Sequence, residues 1–130
     1  MNNEVAFRTN LFESKEIKPH FINDQCFGED LANWLIGILK ESEFTFSKPY
    51  QEDWGWEIEA KKNNERFFIQ IGIMDESIGE ENAEWLIAIE KPKSWFQFGK
   101  QNSSNFEQLC RKIDKILKNE SRISEITWKE

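Results

Sequence analysis

Glu52-Asp53-Trp54-Gly55-Trp56 is the stretch of this chain in which chemistry-bearing residue types stand closest together: two adjacent carboxylates, two indoles and a glycine, following Pro49-Tyr50. Paired carboxylates act as general acid and base only when one is desolvated enough to keep its proton and both reach the same atom. Neighbours on an extended chain point to opposite faces, so Glu52 and Asp53 fail that test. Glu57 and Glu59 share a face, but the alternation of the segment makes it the wet one. What the stretch can do is hold a cation, with carboxylates at the mouth of a groove and an indole as its wall. The plainer reading has Gly55 permitting a bulge or a tight turn into a strand, Trp56 in the core and Asp53 bonded to the turn backbone.

No other group of residues makes a stronger case. His20 is the single histidine and follows Pro19 in a loop, so a triad or a histidine-rich metal site would rest on it alone. Cys26 precedes a helix whose positive end would activate a thiol, but Glu29 and Asp30 put negative charge in the same place. Cys110 falls on an apolar helical stripe and reads as core. The two cysteines have no partners at zinc-ligand spacing. Gly72 and Gly79 are not followed by the Lys-Ser/Thr of a phosphate loop. The run Asp75-Glu76-Ser77-Ile78-Gly79-Glu80-Glu81 lacks the alternate-position spacing of a calcium loop and reads as solvated. The expectation is no catalytic, cofactor or metal site, and a protein that is not an enzyme.

These residues must be positioned by a chain of 130 residues, which makes one domain over residues 1–130. Hydrophobic residues are 38% and include 11 Phe and 6 Trp, so the core is expected to be built on aromatic side chains. The longest apolar stretch, Trp34 to Leu39, is far short of the ~20 residues a membrane span needs, and no leader pattern opens the chain. The expected location is the cytoplasm, with both thiols reduced. The net charge of −7, from 24 acidic and 17 basic residues, opposes binding to nucleic acid or to an anionic membrane.

Periodicity supplies the elements. Glu4 to Phe12 reads as an opening strand or arm. Leu31, Trp34, Leu35, Ile38 and Leu39 recur at helical spacing, with Glu29 and Asp30 in the first turn and Lys40 in the last. Trp56, Ile58 and Ala60, then Phe67, Ile69, Ile71 and Ile73, then Trp85, Ile87 and Ile89 alternate in three successive strands, joined by a polar turn at Lys61–Glu65 and an acidic loop at Met74–Ala83. Lys93 to Gln101 is a loop carrying Trp95, Phe96 and Phe98, which either folds back over a core edge, the reading base rates favour, or stays exposed as a binding patch. Ser104-Asn105-Phe106-Glu107 has capping-box spacing ahead of a helix with Phe106, Leu109, Cys110, Ile113, Ile116 and Leu117 on its stripe. Arg122 to Trp128 closes the chain as a strand with either Ile123 and Thr127 or Ile126 and Trp128 facing inward. The fold class is therefore α+β, in the order β-α-β-β-β-α-β, an antiparallel-rich sheet with two helices packed on one face. Its other face should carry Glu57, Glu59, Gln70 and Glu84 or Glu90.

Cys26-Phe27-Gly28-Glu29-Asp30 and Glu52-Asp53-Trp54-Gly55-Trp56, with Glu84-Trp85-Leu86-Ile87 and Ile126-Thr127-Trp128, resemble a family of small bacterial proteins of unknown function. That resemblance covers the chain from about Phe21 onward and implies a small α+β domain and no activity. In size, acidity and element order the chain also resembles the immunity proteins of bacterial toxin systems. The expected function is an acidic protein-binding module, an inhibitor or immunity-like partner of a basic protein. Its contact residues would be Glu52, Asp53, Trp54, Glu76, Glu80, Glu81 and Trp95, charge steering the encounter and an aromatic anchoring it. The alternatives are a small-molecule-binding domain with a pocket between sheet and helices, with Tyr50 or Gln70 as polar contact, and a homodimeric structural protein. The protein would be a monomer or a homodimer.

Overall fold

Residues 3–15, 27–92 and 104–129 are described by a computed structural model of the chain. Period-2 alternation places β1 at Glu4–Thr9, β4 at Gly55–Lys62, β5 at Glu65–Ile73, β6 at Glu84–Glu90 and β7 at Ile123–Trp128. Two helices, α1 at Glu29–Leu39 and α2 at Ser104–Asn119, interrupt them. Among the described residues two short strands, β2 at Thr45–Phe46 and β3 at Tyr50–Glu52, complete an antiparallel sheet of seven strands in the order β2-β4-β5-β6-β1-β7. β3 continues the edge begun by β2, and both pair with β4.

The sheet holds its helices on one face because the alternating residues of β1, β4, β5 and β6 form a continuous apolar surface there. Val5 and Phe7, Ile58 and Ala60, Phe67, Ile69 and Ile71, Trp85, Ile87 and Ile89 are all buried in one cluster with Leu31, Leu35 and Leu39 of α1 and Phe106, Leu109, Ile113 and Leu117 of α2. Each such side chain, fully withdrawn from water, contributes roughly 1.5–3 kcal/mol. The β4–β5 hairpin closes on the two residues Asn63 and Asn64, with Asn63 at φ 58°, a conformation asparagine tolerates.

Several expectations are corrected in detail. The opening strand ends at Thr9 rather than running to Phe12, and Tyr50 stands in β3 rather than in a loop. Strands of two and three residues are too short for alternation to reveal and exist only because β4 offers them a ladder. The buried face of α1 is Leu31, Ala32, Leu35 and Leu39, while Ile38 is 44% exposed, so the helix is rolled away from the stripe its periodicity suggests. α1 stops at Leu39, and Lys40 follows as its cap, donating its N–H to the Ile36 carbonyl. The acidic loop contains a 3-10 turn at Asp75–Ser77. On β7 the choice between two facings is resolved by a bulge: the β1 register shifts between Ala6 and Arg8, Glu125 takes φ 54°, and Ile123, Ile126 and Trp128 all join the core side. His20, Cys26 and the Trp95–Phe98 loop lie outside the described residues.

Candidate functional site

The turn from β3 into β4 is built around a glycine with no substitute. A Cβ on Gly55, at φ 155°, would stand 2.2 Å from the Ile71 carbonyl oxygen. The backbone of β4 therefore starts pressed against β5, Trp56 drops into the core at 4% exposure, and Trp54 is left 48% exposed on the other side. Gly28, ahead of α1, belongs to the same construction: a Cβ there would meet Ile71 at 3.0 Å and the Trp56 ring at 3.5 Å. The two short motifs of the sequence, around Gly28 and Gly55, are thus the two sides of one packing contact.

On the outer face, where among the described residues no helix packs, register brings Tyr50, Glu57, Gln70, Ala88 and Glu4 into one row across five strands. Beside that row is a hollow of about 290 Å³, lined by Trp54, Gly72, Leu86 and Ala88 with Glu4, Gln70 and Glu90 about it. Tyr50 and Gln70, the polar contacts of the alternative pocket between sheet and helices, both belong to this face, where the alternation already places Gln70. Their donors converge on one carboxylate: the Tyr50 hydroxyl donates to Glu57 Oε2 and Gln70 Nε2 to Glu57 Oε1 at 3.2 Å. Glu90 Oε2 accepts from Asn3 Nδ2 at 3.1 Å. A phenol or an amide orients a carboxylate without cancelling its charge, so Glu57 and Glu90 keep theirs, whereas Glu59, Glu84 and Glu4 on the same face are paired with Arg66, Arg8 and, at 3.9 Å, Lys129. The Tyr50 phenol registers these surroundings: desolvation first, then the bond to Glu57 and the charges of Glu57, Glu52 and Glu59, hold its proton well beyond the usual tyrosine range.

The expected contact residues fall into two groups at the same end of the sheet, where β4 begins and β5 ends. Glu52 ends β3, and Asp53 and Trp54 form the exposed turn beside the hollow. Glu76, Glu80 and Glu81 are exposed in the β5–β6 connection. Glu80 is 3.5 Å from Arg8, which also reaches Glu84 at 3.5 Å, so part of the second group is already neutralised. Glu81 borders a different, polar hollow with Asn10 to Lys15. Trp95 lies outside the described residues. The alternation placed Glu57, Glu59, Gln70 and Glu84 or Glu90 on the wet face but did not show Glu4, Leu86 and Ala88 beside Trp54, because that grouping needs the registers of β6 on β5 and of β1 on β6.

Among the described residues no group of three or more His, Cys, Asp or Glu side chains could hold a metal ion. The Cys110 thiol is free and buried, and burial pushes its pKa up to about 11, which leaves it protonated and inert at neutral pH. Among the described residues no helix is long and apolar enough to cross a membrane. Comparison of the chain with protein-family models, curated proteins and solved structures finds no match.

Proposed function

We propose that the chain is an acidic protein-binding module, an inhibitor or immunity-like partner of a basic protein, acting in the cytoplasm through the outer face of its sheet. The single observation that carries this reading is the hollow beside Trp54: an exposed indole and an apolar floor flanked by Glu90, whose donor is the uncharged Asn3 amide, and by Glu4, which Lys129 approaches only to 3.9 Å. Exposed aromatics in such surroundings anchor interfaces, and unneutralised carboxylates raise the rate of encounter with a cationic surface. The net charge of −7 acts in the same direction over longer range.

The test is affinity capture from a lysate of the cells that make the protein, at low and moderate salt, with wild type and a Trp54→Ala/Glu57→Gln variant of verified fold. A stoichiometric basic protein held by wild type, weakened by salt and released by the variant, is the expected result. The captured protein would then be purified and titrated calorimetrically against both forms. Equal retention by both forms would remove this face from the function. A module that sediments as a stable dimer through the same face would instead favour the homodimeric role.

A further inference from the structure

We infer that the hollow beside Trp54 receives a single arginine side chain of the basic partner, an inference that rests on the protein-binding reading and narrows it to one kind of contact. The size of the hollow, about 290 Å³, lies at the lower limit of ligand pockets, which span roughly 300–1,000 Å³, and suits one side chain better than a cofactor. Its floor of Gly72, Leu86 and Ala88 is apolar, which suits three methylenes. The polar atoms it offers are acceptors. Glu90 uses Oε2 on Asn3, which leaves Oε1, and Glu4 is held only at 3.9 Å by Lys129, whose side chain is 71% exposed. Gln70 spends its amide nitrogen on Glu57, which leaves the amide oxygen. A guanidinium carries five N–H donors and no acceptor, and its plane stacks on an indole as a compact ammonium does not.

The same face already contains one such contact made within the chain. The Arg66 guanidinium lies 5.9 Å from the centre of the Phe68 ring while its Nη1 is 3.3 Å from Glu59 Oε2. Ring and carboxylate together hold an arginine there. Trp54 and Glu90 offer a partner the same pair of groups.

The experiment uses the whole chain, labelled with nitrogen-15, and three probes: N-acetyl-arginine amide, its citrulline isostere and N-acetyl-lysine amide. Amide and indole shifts are followed to saturation or to the solubility of the probe. The arginine probe should move the Trp54 indole and the Gly72 and Leu86 amides together. It should bind at least tenfold more tightly than citrulline and severalfold more tightly than lysine. Trp54→Ala, in an exposed turn, and Glu90→Gln should each weaken it at least fivefold with the rest of the spectrum unchanged. Gly72→Val, which fills the floor, should abolish it; because a Cβ there would come within 3.3 Å of the Trp54 carbonyl, its fold is checked first and the other two variants stand without it. Equal binding of arginine and citrulline, or shifts scattered over the acidic face and unaffected by Trp54→Ala, would overturn the inference. In that event a partner still captured by wild type and lost on charge reversal would leave the binding module intact, whereas loss of all capture would remove both.

Discussion

The two faces of the sheet are made by the same strands and have almost nothing else in common. On β6, Ile87 is completely buried under the helices, while its neighbour Leu86 lies half-buried beside Trp54 on the outer face. The covered face is shaped by volume: aromatic and β-branched side chains fill the space to the helices, and its Cys110 thiol is silenced by burial. The outer face is shaped by charge and by orientation, with carboxylates held in place by a phenol and two amides. The difference teaches that one period-2 pattern can serve stability on alternate residues and recognition on the rest.

That contrast breaks first at Leu86 and Ile87. Ile87→Ala should lower unfolding free energy by about 2–5 kcal/mol, and Leu86→Ala by about 1 kcal/mol or less, both read from urea denaturation. Equal losses would mean that the outer face is packed over as thoroughly as the inner one. Next in size is Gly55→Ala, expected to cost about 1–3 kcal/mol because the new methyl collides with backbone rather than with a yielding side chain. The same variant should shift the Trp54 indole resonance, since the turn must move to relieve the clash.

The smallest effect sharpens the electrostatic half of the contrast. Tyr50 is the only tyrosine, so alkaline titration of tyrosinate absorbance reports one site. Its phenol titrates above the ordinary value of about 10, and Glu57→Gln should bring it back toward that value. The folded state holds this proton more tightly than the unfolded state does. The associated stabilisation is therefore complete below the unfolded phenol's pKa and declines as pH rises through the folded one. It is small, because Tyr50 is 37% exposed and solvent screens the charges around it. A titration identical in wild type and Glu57→Gln would show that the carboxylate does not grip the phenol in solution.

Much of the scaffold was legible. Alternation located β4, β5 and β6 within a residue or two, and the stripe of α2 named its five buried residues, Phe106, Leu109, Cys110, Ile113 and Leu117. Local patterns sufficed there because each element buries one face and the spacing of apolar residues records which. It misled at α1, where Ile38 satisfies the helical period and still faces solvent, because the roll of a helix answers to what it packs on. On β7 the bulge at Glu125 interrupts the alternation and lets Ile123, Ile126 and Trp128 share a side that strict pairing denies them.

By itself the sequence determined an acidic α+β domain, its principal strands and helices, and Glu52, Asp53 and Trp54 as an unusual group. Composition and short-range periodicity carry that information because they depend on residues close together in the chain. Only the tertiary structure decided that Gly28 and Gly55 meet over Ile71, and that Glu4, Gln70, Leu86 and Glu90 gather around Trp54. Those neighbours come from strands far apart in sequence, and their meeting follows from the strand order β4-β5-β6-β1, which ladder pairing sets and no local pattern records.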